Sequence, residues 1–177
     1  MQSALITGAS RGLGRALALG LADEGWSLVI DGRSRTALED AGNEIRSHLK
    51  GDAKLISISG DVTDADHRRA LVEAAGRGGG LDLLVNSARV LGPSPQPRLE
   101  AYPLDVLRQV YEVNVLAPLG LIQVALPLLR CSPIGRIINV TSGAAVEPYQ
   151  GWGGYGSSKA ALDHLSAILG RRPRSRG

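Results

Sequence analysis

A tyrosine and a lysine stand four residues apart near the end of the chain, as Tyr155 and Lys159. On a helix these two side chains share one face. A phenol is a poor acid–base catalyst at neutral pH because it ionises only near pH about 10, and a fixed ammonium favours the phenolate. Ser142, thirteen residues before Tyr155, could donate a hydrogen bond to a substrate oxygen as charge develops there. The order and spacing of these residues, rather than any one of them, predict a site in which Tyr155 gives or takes a proton.

Asn114 is a fourth candidate, because asparagine is mildly unfavourable inside a helical stretch. Pro118 follows four residues later and has no amide hydrogen, so the usual helical bond to the Asn114 carbonyl cannot form. We expect that carbonyl to hold a water that links Lys159 to solvent and recycles protons. A simple helix kink is the alternative interpretation.

The chain opens with the glycine-rich run TGASRGLG at residues 7–14, between a predicted strand and a predicted helix. Gly8 permits a tight turn, and Gly12 and Gly14 let a pyrophosphate and the sheet approach the backbone. The helix N-terminus then presents free amides and a partial positive charge to phosphates. Glycine is also an ordinary turn residue, but its placement at the start of a strand–helix unit predicts dinucleotide binding.

The second predicted strand ends in Asp31, Gly32 and Arg33. An acid at this position grips the ribose hydroxyls of NAD, whereas an arginine pairs with the extra phosphate of NADP. Arg33 and Arg11 could converge on one phosphate, with Asp31 pointing elsewhere. The sequence therefore favours NADP(H), with NAD(H) as the alternative cofactor and a solvated loop as the plainer interpretation of Arg33.

Short apolar runs alternate with helix-like stretches, which predicts an α/β fold with a Rossmann-like, doubly wound parallel sheet. Thr63 with Asp66 resembles a capping box at the start of the third helix. The expected strands are residues 4–7, 27–31, 54–59, 81–86 and 135–141. The expected helices are residues 12–24, 34–51, a third after 63, 104–129 and 156–169.

Composition sets broad limits on the kind of protein. Residues 1–170 are expected to form one dinucleotide-binding domain with the catalytic residues, followed by an Arg-rich disordered tail at 171–177. Without the four arginines of that tail, the chain has 16 basic and 17 acidic residues, so the body has no electrostatic footprint for nucleic acid.

The chain contains no signal segment and no apolar run of membrane-spanning length, and Cys131 is its single cysteine. These features predict a cytoplasmic protein. Three scattered histidines lack ligand spacing, which predicts surface positions and no metal.

Taken together, these motifs make the chain resemble the short-chain dehydrogenase/reductase family over nearly its whole length. The resemblance implies an Asn114, Ser142, Tyr155 and Lys159 catalytic set. The resemblance and the motifs assign to the cofactor Gly8, Ser10, Arg11, Gly12, Leu13, Gly14, Arg33, Asp61, Val62, Asn86 and Ala88, together with Tyr155 and Lys159. A small carbonyl or alcohol is the implied substrate, and the long helices around Asn114 and Tyr155 could pair two subunits.

Two departures from the family pattern keep other functions open. The family usually has Asn-Asn-Ala-Gly after the fourth strand, whereas this chain has Asn86-Ser87-Ala88-Arg89, which would either obstruct the site or bind an acidic substrate group. Only five strands are predicted where a doubly wound sheet normally has about six, so we expect a chain truncated at the C-terminus, with a bare apolar edge on its fifth strand. The expected function is an NAD(P)(H)-dependent oxidoreductase; the alternatives are a catalytically silent nucleotide-binding or regulatory protein and an inactive fragment.

Overall fold

The computed structural model describes residues 2–170, in which five parallel strands form one sheet of order β3-β2-β1-β4-β5. The predicted tail at 171–177 lies outside these residues. The strands are β1 (Ser3–Ile6), β2 (Ser27–Gly32), β3 (Leu55–Ser59), β4 (Leu83–Asn86) and β5 (Arg136–Asn139). The helices are α1 (Gly12–Asp23), α2 (Arg35–His48), α3 (Ala65–Gly76), α4 (Leu104–Tyr111), α5 (Ala117–Cys131) and α6 (Gly153–Leu169).

The chain divides into two compact units. The first unit contains the sheet and runs to Arg89, then resumes over Leu116–Val140. The second unit contains Val90–Val115 and the segment that begins at Thr141. Each unit carries a different part of the predicted site.

The inner strands β1, β2 and β4 are mostly buried on both faces, which explains their nearly continuous apolar sequence, whereas the edge strand β5 leaves Ile138 exposed. Leu5 lies in a core cluster with Leu71 of α3 and Leu121 of α5. Its neighbour Ile6 points the other way and lies in a second cluster with Ala18 of α1. Helices on both faces confirm the doubly wound, Rossmann-like fold, and β1 lies between β2 and β4, where the strand order reverses.

Helix ends in the first unit follow local chemistry. Gly25, with φ of +77°, follows α1 as the expected left-handed stop. Ser34 caps α2, since its side chain accepts a hydrogen bond from the Ala37 amide. The expected capping box at Thr63 is wrong, because Asp64 is the N-cap of α3 and accepts from the Asp66 amide at 2.8 Å. Aspartate caps as well as threonine does, and the two candidates are adjacent in the sequence.

The helical region predicted for residues 104–129 is one stretch, Leu104–Cys131, with a π-helical turn at Glu112–Leu116 between α4 and α5. Pro118 lies in the first turn of α5, where a missing amide is tolerated. By length and composition this stretch could cross a membrane, with a mean hydropathy of 1.6 over its best window. Because a buried core helix passes the same test, and Leu121 and Ile122 of α5 lie in the core, this is weak evidence for a membrane.

The second unit is built around α6, whose N-terminus is three residues earlier than the sequence predicted. The helix α4 packs against α6, and so does the 3₁₀ turn Gly143–Ala145. Tyr102 is buried against Gly154, where a Cβ would collide with the tyrosine ring. The α6 helix is therefore held from two sides within this unit.

Candidate functional site

The glycine loop between β1 and α1 is packed so closely at two of its glycines that a side chain is excluded there. Gly8 has φ of +67°, and a Cβ there would lie 2.7 Å from the Ala88 Cα. A Cβ on Gly14 would lie 2.5 Å from the Gly8 carbonyl oxygen. Gly12 has φ of +57°, and a Cβ there would meet open space among the described residues. Gly8 and Gly14 thus bring α1 against the loop, and Gly12 supplies the backbone conformation.

The loop is fixed by hydrogen bonds to neighbouring strand ends. The Thr7 hydroxyl accepts from the amides of Ser87 and Ala88, at 3.1 Å each. The Gly8 amide donates to Asp31 Oδ1 at 2.8 Å. The ends of β1, β2 and β4 are thereby joined at the edge where parallel α/β sheets bind ligands.

The N-terminus of α1 suits an anion. Arg11 is its N-cap residue in extended conformation, and its first turn begins with Gly12, Leu13 and Gly14. The first amides of a helix have no partners within that helix and carry partial positive charge. Arg11 and Arg33 are both exposed, so their guanidinium groups are accessible to an anionic ligand. Ser10 lies beside Gly32, where a Cβ would be 3.1 Å from the Ser10 hydroxyl oxygen.

Asp31 points away from solvent, as the sequence interpretation allowed. Its side chain is 2% exposed, and its second oxygen, Oδ2, lies 2.9 Å from His67 Nε2. The expectation that His67 lies on the surface is wrong, because its side chain is only 8% exposed. The carboxylate provides the partner that a buried imidazole needs. The two residues are thirty-six positions apart in the sequence, so no local pattern could reveal the pair.

Asp61 and Val62 follow β3 in a tightly bonded turn. Asp61 Oδ1 accepts from the Thr63 amide at 2.9 Å and from the Thr63 hydroxyl at 2.8 Å. Burial alone would raise the pKa of Asp61, but these two bonds and the positive charges of Arg33 and His67 outweigh it and hold that pKa below its ordinary value. The Arg68 guanidinium donates to the Val62 and Thr63 carbonyls at 2.7 and 2.8 Å, a brace that sequence reasoning missed.

The end of β4 carries Asn86, Ala88 and Arg89. The buried Asn86 amide donates to Asn139 Oδ1 of β5 at 2.7 Å, so this side chain joins two strand ends. Ala88 touches the glycine loop, as the Gly8 distances show. The Arg89 side chain that follows is exposed, which leaves it accessible to a ligand.

In the second unit, Tyr155 and Lys159 share one face of α6, as their spacing predicted. Tyr155 is 3% exposed and Lys159 is 2% exposed. The Lys159 Nζ lies 5.8 Å from the centroid of the Tyr155 ring. A buried ammonium is costly unless other groups stabilise it. A buried lysine beside a buried phenol is therefore an arrangement that can hold and exchange a proton.

Asn114 lies in the π-helical turn and is fully buried. Its Oδ1 accepts from the Val90 amide, and its Nδ2 donates to the Val90 carbonyl, both at 2.9 Å. Nδ2 also donates to the Ser158 hydroxyl at 3.0 Å, which in turn donates to the Tyr155 carbonyl at 2.7 Å. The side chain of Asn114 thus braces the part of α6 that carries Tyr155 and Lys159. The sequence signal for this role was a polar residue in an apolar helical run. From it we predicted a role for the backbone carbonyl of Asn114, but not the hydrogen bonds of its side chain.

Ser142 is held close to the same part of α6. It caps the 3₁₀ turn, and its Oγ accepts from the Ala144 amide at 3.2 Å. This leaves the hydroxyl hydrogen able to donate. The turn rests on α6 so closely that a Cβ on Gly156 would lie 2.5 Å from the Ala144 carbonyl oxygen. The sequence contains this clue only as a glycine next to Tyr155.

Two further aromatic residues pack before Tyr155. The rings of Trp152 and Tyr155 meet edge to face with centroids 5.9 Å apart, and those of Tyr149 and Trp152 are 6.3 Å apart. The Tyr149 hydroxyl donates to Glu147 at 2.7 Å, and this bond raises the pKa of Tyr149 above its ordinary value. Tyr149 and Trp152 are partly exposed, so an apolar ligand could contact them.

The second unit brings together the four residues predicted for catalysis. The first unit holds all the residues that were assigned to the cofactor apart from Tyr155 and Lys159.

The family described as short chain dehydrogenase matches residues 2–177. The benzil reductase ((S)-benzoin forming) IRC24 of Saccharomyces cerevisiae is 37% identical over 92% of this chain and 62% of that protein. The rhamnolipids biosynthesis 3-oxoacyl-[acyl-carrier-protein] reductase of Pseudomonas aeruginosa is 36% identical over 95% of this chain and 65% of that protein. The chain therefore spans less than two thirds of the length of these relatives.

Solved structures of dehydrogenases are similar to this chain over nearly its whole length. An NAD⁺-bound xylitol dehydrogenase superposes with a TM-score of 0.87 at 29% identity, covering 95% of this chain and 63% of that one. An alcohol dehydrogenase from the archaeon Thermococcus sibiricus, complexed with 5-hydroxy-NADP, has a TM-score of 0.85 at 27% identity, covering 96% and 70%.

Proposed function

The chain belongs to the short-chain dehydrogenase family of oxidoreductases, and from this we propose that it interconverts a carbonyl and an alcohol with NADP(H). The observation that carries the proposal is the buried Tyr155–Lys159 pair on α6, braced by Asn114 through Ser158. Burial of an ionisable pair in this arrangement is typical of functional sites.

We propose that Tyr155 is the acid and base of the reaction. When bound, the nicotinamide cofactor supplies or accepts the hydride. In the reducing direction, the Tyr155 hydroxyl gives its proton to the carbonyl oxygen, and the Lys159 ammonium stabilises the phenolate that remains. In the oxidising direction the phenolate accepts the proton of the alcohol.

Ser142 and Asn114 have supporting roles in this proposal. The Ser142 hydroxyl donates a hydrogen bond to the substrate oxygen and stabilises its growing negative charge. Asn114 holds Ser158, and through it the backbone of α6 at Tyr155. We further propose that the Asn114 carbonyl holds a water that connects Lys159 with solvent.

The first unit fits a dinucleotide, because its glycine loop is shaped so that a phosphate can approach the backbone. In this proposal the phosphates contact the loop from Gly8 to Gly14, which includes Ser10, Arg11, Gly12 and Leu13. The adenine lies along Asp61 and Val62, and Asn86 and Ala88 lie beside the cofactor.

The cofactor preference rests on two neighbouring positions. Asp31 uses one oxygen for Gly8 and the other for His67, so it is occupied where an acid would otherwise grip ribose hydroxyls. Arg33 is exposed two residues later and supports NADP(H) over NAD(H). The solved relatives include one with NAD⁺ and one with a modified NADP, so they favour neither.

A catalytically silent nucleotide-binding protein is the second candidate function. The exposed Arg89 favours it, because this large cation directly follows Ala88, which touches the glycine loop. In either case we propose that the ligands are small molecules, that the protein works in the cytoplasm without nucleic acid or membrane, and that two chains could pair through their long helices.

Titration with NADPH and NADH, followed by protein and nicotinamide fluorescence, tests the binding part of the proposal. We expect saturable binding of both, tighter for NADPH. A panel of small carbonyls with bound NADPH then separates the two functions: cofactor oxidation supports the oxidoreductase, and binding without oxidation supports the silent protein. An absence of binding to either cofactor would contradict both.

A further inference from the structure

Asp31 is a buried carboxylate with a structural partner on each oxygen. Oδ1 accepts the Gly8 amide at 2.8 Å, and Oδ2 faces His67 Nε2 at 2.9 Å. Hydrogen bonds to a charged group are roughly twice as strong as neutral ones. The only carboxylate at the tip of β2 therefore anchors the glycine loop from inside the protein.

His67 makes a second contact that depends on its ring. A Cβ on Gly60 would collide with the His67 ring atoms, so imidazole and backbone are in close contact there. The Gly60 amide donates to the Gly32 carbonyl at 3.2 Å, and Asp61 and Val62 follow directly. One side chain thus touches both the anchor of the glycine loop and the start of the Asp61–Val62 turn.

We propose that His67 is a positioning residue for the dinucleotide, which it serves by fixing the Gly8 amide through Asp31 and by packing its ring on Gly60. This inference rests on the proposed function, because it assigns the two segments to one cofactor. It also assigns Asp31 to the loop rather than to the ribose. A ribose ligand would distinguish NADH from NADPH, whereas an anchor of the loop affects both cofactors alike.

The test uses the full chain and measures the Kd of NADPH and NADH by fluorescence titration. His67→Phe keeps a ring against Gly60 but removes the donor to Asp31. Loss of one hydrogen bond to a charged group should raise both Kd values by about tenfold. His67→Gln places an amide donor near the same carboxylate and should recover binding to within about threefold of the unmodified chain. A generally destabilising change at this position would not be rescued in this way.

A matched control comes from a second histidine–aspartate pair in the same unit. His48 Nδ1 lies 3.2 Å from Asp23 Oδ1, but both side chains are more than two fifths exposed. His48→Phe should leave both Kd values unchanged. Equal binding by His67→Phe and the unmodified chain would overturn this inference alone. An unmodified chain that binds neither cofactor would overturn the proposed function as well.

Asp31→Asn gives a second readout that does not depend on the His67 variants. The amide oxygen can still accept from Gly8, but its NH₂ group would face His67. We expect NADPH and NADH to weaken by the same factor. A loss confined to NADH would overturn the inference, because it would make Asp31 a ribose ligand.

Discussion

Asn114 shows how one buried side chain can organise the candidate site at the scale of residues. It satisfies both backbone groups of Val90 and also binds Ser158. In the interior, a donor or acceptor left without its partner costs more than the bond itself contributes. The residue therefore stabilises the second unit, whatever it contributes to proton transfer.

Asn114→Ala should lower the free energy of unfolding by about 3 kcal/mol, because it removes the hydrogen bonds that Asn114 makes with the Val90 amide and carbonyl and with the Ser158 hydroxyl. Chemical denaturation measures the change. Asn43→Ala is the control, since Asn43 makes only an exposed contact with Arg46 on α2, and it should change stability by less than about 0.5 kcal/mol. Equal effects of the two substitutions would contradict this account of Asn114.

Thr63→Val should raise the pKa of Asp61 towards its ordinary value of 3.8, because the hydroxyl bond is lost while the bond from the Thr63 amide remains. A carboxyl whose pKa is lowered by folding stabilises the protein above pH 3.8, and that stabilisation is lost as the pH falls through the lowered value. The variant should therefore lose less stability on acidification. Carbon-13 NMR titration of Asp61 gives the measurement. Thr36→Val on the exposed face of α2 is the control, and an unchanged Asp61 titration in Thr63→Val would refute the assignment.

At the scale of elements, the close approach of α1 to the glycine loop is the feature on which the proposed phosphate site depends. Gly14 and Gly20 both lie on α1, but only Gly14 is crowded, by the Gly8 carbonyl. Substitutions at these two glycines therefore distinguish a requirement for close packing from the general destabilising effect of glycine within a helix.

Gly14→Ala should destabilise the protein by about 1 to 3 kcal/mol through overpacking, and it should weaken NADPH binding because the loop must move. Gly20→Ala should instead stabilise it by about 0.5 to 1 kcal/mol, since alanine is the better helix former and a Cβ there meets open space among the described residues. Thermal unfolding and fluorescence titration measure the two effects. If both substitutions changed the stability in the same direction, close packing would not be the reason for glycine at position 14.

Pro118→Ala tests the proposed water at the Asn114 carbonyl. The new amide would be able to bond to that carbonyl in a regular helix, so we expect turnover to fall and its pH dependence to change. Steady-state rates with a reactive carbonyl, measured from pH 5 to 10, supply the data. Unchanged rates and an unchanged pH profile would leave the proline as a helix feature only.

The strands could be predicted from the sequence to within two residues at either end, because buried parallel strands are continuous apolar runs. The π-helical turn could not be, since nothing in its Glu112–Leu116 sequence distinguishes it from an α-helical continuation of α4 into α5. At the start of α3, the two good capping residues Thr63 and Asp64 are adjacent, and their capping preferences are too similar to choose between them.

At the scale of the whole molecule, the fold class could be predicted from the alternation of strands and helices. The Tyr155 and Lys159 pairing was also predictable because both lie on one helix. The Asp31–His67 pair, the Arg68 brace and the division into two units were not, because they depend on contacts between residues far apart in the chain. Local spacing reveals motifs within an element, but partners that are distant in the sequence can be identified only from the three-dimensional structure.

We propose that Tyr155 exchanges the proton, and Tyr155→Phe is the substitution that tests this role. The measurement is the rate of NADPH oxidation with a reactive carbonyl, alongside the Kd of NADPH. We predict a fall in the rate of at least about a hundredfold, with the Kd within about threefold of the unmodified chain. Tyr149→Phe, which removes a partly exposed hydroxyl bonded to Glu147, should retain its rate. A Tyr155→Phe protein that oxidises NADPH as fast as the unmodified chain would show that Tyr155 is not the proton donor.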